Sequence, residues 1–83
     1  MERLQELKEK LKTLKNDLNV FTKMESKTLK HYYTFKENNE IEKANQYYKE
    51  FKEYENLKNQ TEKEFDELRK EYFTLLKENK KGA

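Results

Sequence analysis

The apolar residues of this chain follow a heptad pattern that mirrors itself about a polar stretch at residues 37–40. In the first half, apolar residues recur at alternating spacings of three and four: Leu4, Leu7, Leu11, Leu14, Leu18 and Phe21. The same spacing returns in the second half: Ala44, Tyr47, Phe51, Tyr54, Phe65, Leu68, Tyr72 and Leu75. Such spacing places one apolar stripe along one side of an α-helix. The pattern therefore predicts an all-α chain.

A single register brings the two stripes face to face. If the chain folds back near Asn39, Leu4 faces Leu75 and Leu14 faces Phe65, and the residue numbers of each facing pair sum to 79. Because one register satisfies the whole length, the sequence predicts an antiparallel two-helix coiled-coil hairpin. The middle layers of this register each contain one polar residue: Leu18 with Thr61, Phe21 with Lys58, Glu25 with Tyr54, and Thr28 with Phe51. We expect the middle to be more loosely packed than either end.

The predicted hairpin is one domain over residues 1–83, with helix one at about 2–36, a turn at about 37–39 and helix two at about 40–79. Asn38 and Asn39 favour a turn. Asn39 is also a suitable N-cap for helix two, with Glu42 three residues later as in a capping box. Thr61 followed by Glu64 carries the same signature. A break near Thr61, which would give three helices, is therefore an alternative.

Composition agrees with long, solvated helices. Charged residues make up 43% of the 83 residues and hydrophobic residues 33%, with no proline and no cysteine. An aromatic content of 13% argues against a disordered chain, since disordered chains are poor in aromatic residues. The first 36 residues carry nine basic and five acidic side chains, whereas the remainder carries ten and twelve. Opposite net charges on the two helices favour the hairpin weakly.

A second set of apolar residues lies beside the seam. It contains Met24, Leu29, Tyr33, Ile41, Tyr48, Leu57, Phe73 and Leu76. An apolar face wider than the a and d positions is typical of larger bundles. We therefore predict that two hairpins form a homodimeric four-helix bundle through these residues. The alternatives are that they bind an unidentified second protein, or that they line a monomeric three-helix fold.

Aromatic residues cluster on both sides of the turn. Tyr32 and Tyr47 occupy facing seam positions, whereas Tyr33 and Tyr48 lie beside the seam. The cluster either closes the end of the bundle or forms a recognition surface, because tyrosine is enriched in binding interfaces. Of these residues, Tyr33 is expected to be the most exposed.

Catalysis is not predicted. His31 is the single histidine, there is no cysteine, and the one glycine is Gly82, so neither a nucleophile–base pair, a transition-metal site nor a phosphate loop can be assembled by spacing. We expect no catalytic residues, no metal site and no cofactor. The chain contains no apolar run long enough for a membrane span and no secretory signal, which favours a cytoplasmic protein without membrane contact.

The sequence therefore favours a non-enzymatic interaction module: an adaptor, scaffold or inhibitor. A nucleic-acid-binding regulator is the alternative, with Lys23, Lys27 and Lys30 as the candidate phosphate contacts. Interleaved acidic residues and a pI near 8.7 count against it. Heavy use of Lys, Asn, Glu, Tyr and Phe is typical of AT-rich coding, which suggests a phage or mobile-element accessory protein that inhibits a host protein as a further alternative.

Overall fold

The computed structural model describes the backbone of residues 2–82 and the side chains of residues 2–79. Helix α1 spans Glu2–Glu37 and helix α2 spans Ile41–Gly82. Helix α2 runs unbroken through Thr61, so the three-helix alternative does not occur. The Thr61 hydroxyl donates to the carbonyl oxygen of Leu57 at 2.8 Å, inside the same helix. Such a back-bond to the carbonyl of the preceding turn is typical of a threonine inside a helix, not of an N-cap residue.

The two helices pack antiparallel into a rod of 65 × 14 × 14 Å, which confirms the predicted hairpin. Contacts between the helices occur at the open end, in the middle and at the tip: Arg3 with Glu71, Glu25 with Lys58, His31 and Phe35 with Tyr47, and Tyr32 with Tyr48. The residue numbers in each of these pairs sum to a value within one heptad of the predicted 79, some below it and some above it. The two helices therefore keep one heptad register from the open end to the tip.

The turn is built differently from the prediction. Asn39 has a φ of 61°, the left-handed region, and its N–H donates to the Lys36 carbonyl at 3.2 Å. The N–H of Glu40 reaches back to the Phe35 carbonyl at 2.9 Å. These two bonds form a Schellman motif, which satisfies carbonyls at the end of α1. Asn39 thus terminates the first helix.

The prediction that Asn39 caps α2 is therefore wrong. The first backbone hydrogen bond of α2 runs from the Ala44 N–H to the Glu40 carbonyl at 3.0 Å, which makes Glu40 the N-cap residue. The Schellman motif needs a left-handed residue two positions after Glu37, the last residue of α1. Asn is the non-glycine residue that adopts this conformation at least cost.

Full burial is rare along the seam. Among the described side chains, Leu7, Ala44 and Thr28 are the buried ones, and most other seam residues are half-buried. Thr28 belongs to a layer that we expected to be loose. Its hydroxyl donates to the carbonyl oxygens of Met24 at 2.9 Å and Glu25 at 3.0 Å. The buried hydroxyl is thus satisfied within α1 and needs no partner on α2.

The middle of the seam contains an ion pair. Lys58 Nζ lies 2.8 Å from Glu25 Oε2, and the two side chains are only 24% and 20% exposed. Contact with this carboxylate raises the pKa of Lys58 above its ordinary 10.5, although burial acts in the opposite direction. Polar residues at seam positions fix register at some cost in stability. The pair therefore selects one alignment of the two helices.

Substitutions at Asn39 test the left-handed turn. We expect Asn39→Val to lower the free energy of unfolding by about 1–2 kcal/mol, because a β-branched residue disfavours a positive φ. Asn39→Gly should leave stability equal or slightly raised. The matched control is Asn38→Val, where no positive φ is needed. Urea unfolding followed by circular dichroism gives the three values, and equal losses at positions 38 and 39 would contradict the role of the turn.

The Glu25–Lys58 pair can be tested through its pH dependence. The raised pKa of Lys58 means that the pair stabilises the fold below pH 10.5 and loses this contribution as pH rises through the folded-state pKa. Glu25→Gln should therefore lower stability by about 1 kcal/mol at pH 7, and the difference from the parent should shrink above pH 10.5. Using this difference cancels the titration of tyrosines common to both proteins. A difference that persists at high pH would contradict the charge-pair account.

Candidate protein-interaction surfaces

The solvent-accessible surface of the hairpin is large for a protein of its mass. Its accessible area is 6785 Å², compared with roughly 5,400 Å² for a compact globular protein of this mass. The difference arises because each helix has one neighbour, so seam side chains are covered from one side only. Because apolar residues beside the seam are incompletely buried, the flanks of the seam are the candidate functional surfaces.

The flanks form two distinct faces. With the seam residues at heptad positions a and d, the e and b positions lie on one flank and the g and c positions on the other. In an antiparallel pair the e positions of both helices share a face, and so do the g positions. Contacts agree with this assignment, since Arg3 meets Glu71 on the g side and Tyr32 meets Tyr48 on the e side.

We call the e side the aromatic face, and it holds six of the eight predicted interface residues. They are Leu29, Tyr33, Ile41, Tyr48, Phe73 and Leu76. The side chains of Tyr33, Ile41 and Phe73 are more than half exposed, Tyr48 is 43% exposed, and Leu29 and Leu76 are half-buried. The first four lie near the turn and the last two near the open end.

Near the tip, the aromatic face carries a connected set of rings. The Tyr32 ring centroid lies 5.2 Å from that of Tyr33 and 5.3 Å from that of Tyr48, and Tyr48 lies 6.1 Å from Phe51. Because Tyr32 supports both exposed tyrosines from the seam, Tyr33 and Tyr48 are held in place rather than projecting singly. Preorganised aromatic groups of this kind lose little conformational entropy on binding.

Two lysines lie over these rings. Lys36 Nζ is 5.6 Å from the Tyr32 ring centroid, and Lys52 Nζ is 5.8 Å from that of Tyr48. Lys52 also contacts Glu55 at 3.3 Å, and this contact raises the pKa of Lys52. The rim of the aromatic surface is therefore positively charged.

The opposite side of the tip is filled by a second ring stack. The Tyr47 ring lies 5.3 Å from Phe35 in a stacked geometry and 4.9 Å from His31, and Lys43 covers Phe35 at 5.5 Å. The sequence register places Tyr32 opposite Tyr47, yet the ring contacts of these two residues lie on different faces. The aromatic cluster thus divides into a half-buried plug on the g side and an exposed surface on the e side.

We call the g side the acidic face, and it holds the other two predicted interface residues. Met24 and Leu57 directly precede Glu25 and Lys58, so the seam ion pair puts them at about the same level along the rod. Val20 lies one turn before Met24 and is 55% exposed. Val20 was not among the predicted interface residues, although its c position beside Met24 is readable from the sequence.

Charge separates the two faces. Among the described side chains of the aromatic face, six cations accompany three carboxylates: Lys8, Lys12, Lys15, Lys36, Lys52 and Arg69 with Glu55, Glu62 and Asp66. On the acidic face, over residues 2–79, four cations accompany eight carboxylates: Arg3, Lys10, Lys27 and Lys43 with Glu6, Asp17, Glu50, Glu53, Glu64, Glu67, Glu71 and Glu78. The faces therefore differ in sign as well as in apolar content.

The candidate phosphate contacts lie away from the seam. Lys23 and Lys30 occupy the outward f positions of α1, and Lys27 lies on the acidic face. All three are exposed, and within the described residues none has a carboxylate at ion-pair distance. They form a loose cationic strip without a neighbouring pocket.

Other kinds of site find little support in the described part of the chain. No group of three or more histidine or acidic side chains in residues 2–79 is arranged to hold a metal ion. Neither helix, as far as it is described, has a stretch apolar enough to cross a membrane. A groove of about 510 Å³ beside Leu14 and Leu68 on the acidic face is open to solvent and lined largely by charged side chains.

Comparison of the chain with protein-family models, with curated proteins and with solved structures finds no match. Its function must therefore be inferred from its own two faces.

Proposed function

We propose that this protein is a non-enzymatic interaction module that acts as an adaptor, scaffold or inhibitor by covering the surface of a partner. Its hairpins self-associate through apolar side chains into a four-helix bundle. The observation that supports the proposal is the connected aromatic surface at the tip, where Tyr33 and Tyr48 are 54% and 43% exposed while supported from below by Tyr32. Contiguous exposed apolar groups with a polar rim are typical of protein-binding surfaces.

Self-association follows from the energetics of a two-helix rod. A single core in a chain of this size supplies no more than about 3–5 kcal/mol, and this rod has only three fully buried side chains among those described. A second layer of helices would cover the exposed halves of the seam residues and the flanking apolar residues together. The stabilisation comes mainly from apolar burial, so we expect it to depend only weakly on salt.

The mass of the protein in solution tests self-association. We expect light scattering on a sizing column to give twice the 10.3 kDa of one chain at micromolar concentration. The melting temperature should also rise with protein concentration, because association stabilises only the folded state. A monomer with a concentration-independent melting temperature would contradict the self-association part of the proposal.

A nucleic-acid-binding regulator is the second candidate, supported by the exposed ammonium groups of Lys23, Lys27 and Lys30, which have no ion-pair partner in the described part of the chain. Nucleic-acid binding through lysines weakens steeply with salt, because each phosphate contact releases a counterion. Under the interaction-module proposal, we expect no salt-sensitive gel shift with single-stranded or duplex RNA or DNA, even at low ionic strength.

If a shift does occur, charge reversal identifies its origin. The triple variant Lys23→Glu, Lys27→Glu, Lys30→Glu should then abolish it. Reversal of Lys63, Lys70 and Lys77 on the outer side of α2 provides a control of equal charge change. Loss of binding in the first variant alone would establish the nucleic-acid function in place of the one proposed.

A further inference from the structure

We infer that a second copy of this chain covers the aromatic face, with the two hairpins stacked aromatic face to aromatic face and their tips at the same end. This inference rests on the self-association in the proposed function and goes further by specifying the face, the orientation and the contacts. The exposed aromatic surface then serves self-association, and the acidic face of each hairpin stays free for the partner of the proposed function.

The choice of face follows from apolar content and charge. The aromatic face carries six large apolar side chains besides the seam, whereas the acidic face carries Val20, Met24 and Leu57. Two acidic faces would also bring together eight carboxylates and four cations from each copy. Desolvating an excess of like charge is costly. The aromatic face is therefore the better surface for a second copy.

The size of this face fits a stable dimer. A face 65 Å long and 14 Å wide covers roughly 900 Å², so a stack of two would bury about 1,800 Å² in total, within the standard range for specific interfaces. The excess surface of the isolated hairpin is of the same order.

The orientation follows from the positions of charges along the rod. With both tips at one end, a two-fold axis along the rod places α1 of each copy over α2 of the other. Residue n of α1 then lies level with residue 79 − n of the second copy's α2. Lys15 comes within two residues of Glu62 and Lys12 within one residue of Asp66, twice per dimer by symmetry. The two cations and the two carboxylates of these segments thus meet each other, whereas Lys8 and Lys12 also come within two residues of Arg69 of the second copy at the open end.

The same stack matches apolar groups at the tip. Leu29 and Tyr33 of one copy come level, within two residues, with Tyr48 of the second copy. The exposed parts of both tyrosines are then covered by apolar side chains. Lys36 and Lys52 lie at the margin, where their ammonium groups can reach water while their stems cover the rings.

In the opposite orientation, the alignment that stacks aromatic groups on each other pairs like charges. If the tip of one hairpin covered the open end of the other, α2 would lie over α2, and this alignment would place Tyr48 on Phe73 of the second copy. In two antiparallel helices, residues at the same level have a constant residue-number sum. Glu55 with Asp66 and Lys52 with Arg69 have the same sum as Tyr48 with Phe73, so that alignment places each of these like-charged pairs at one level. Juxtaposed like charges disfavour a wrong arrangement.

Paired substitutions on the two faces test which face is covered. Tyr33→Glu with Tyr48→Glu should weaken dimerisation by on the order of a hundredfold or more, because buried tyrosines are typical hot spots. The control is Val20→Glu with Leu57→Glu, which adds the same charge to exposed apolar positions of the acidic face and should leave the dimer intact. Helicity by circular dichroism verifies that both variants fold. The reverse sensitivity would overturn the inference while leaving self-association established.

Charge exchange tests the contact between α1 and the second copy's α2. One variant carries Lys12→Glu and Lys15→Glu, and the other carries Glu62→Lys and Asp66→Lys. Each alone should dimerise on the order of tenfold more weakly than the parent, because like charges meet at both copies of the contact. An equimolar mixture should form a heterodimer with near-parental affinity. Equal affinities for the mixture and the single variants would overturn the proposed pairing.

A distance measurement tests the orientation independently. The chain has no cysteine, so Glu42→Cys, at an exposed position next to the tip, provides a unique site for a spin label. Tips at the same end place the two labels within about 30 Å, since a four-helix bundle is about two helix diameters across. The opposite orientation separates them by about 55 Å or more, given a rise of 1.5 Å per residue. The longer distance would overturn the orientation, whereas a parent that stays monomeric would overturn the self-association on which it rests.

Discussion

A helix that has only one neighbour cannot bury a heptad stripe, and the rest of this structure depends on that constraint. Leu7 and Ala44 are completely covered, whereas seam leucines and phenylalanines such as Leu11 and Phe65 remain half-buried because no element lies above or below the pair. The hairpin therefore has apolar residues on as wide a face as a helix of a larger bundle, but buries them only as far as a two-helix coiled coil can. Its surfaces, rather than a pocket, are where binding energy is available.

Apolar contacts supply the stability of the seam, and polar groups define its alignment. Glu25 and Lys58 meet at 2.8 Å in the middle, so sliding either helix by a heptad would leave two half-buried charges without partners. Burial of Thr28 does not depend on the alignment in this way, since its hydroxyl donates to carbonyl oxygens of its own helix. At the tip, the left-handed Asn39 terminates α1 at a fixed point. Together these features explain how a chain with few buried residues adopts one register.

The hairpin and its register could be predicted because a repeat of 3.5 residues, mirrored at a constant sum, has few alternative solutions. The role of Asn39 could not be settled, because the same residue type favours both a left-handed helix end and an N-cap, and only the backbone distinguishes them. The partners of Tyr32 and Tyr47 depend on side-chain rotamers, which the periodicity does not encode. The heptad positions alone were sufficient to divide the flanking residues between two faces. Because e and g positions lie on opposite faces of an antiparallel pair, Met24 and Leu57 could have been separated from Tyr33 and Tyr48 in the sequence.

Under the proposed self-association, the charge pattern would serve two interactions at once. Excess cations on α1 and excess carboxylates on α2 weakly favour pairing within one hairpin. The same asymmetry makes any face-to-face stack favour α1 over α2, which is the tips-together arrangement. Exposed charges act over about one Debye length, roughly 8–10 Å, so they contribute little to affinity but can select between orientations of equal apolar burial. Tyr33 and Tyr48 would thus determine whether two copies associate, and Lys12, Lys15, Glu62 and Asp66 would determine how.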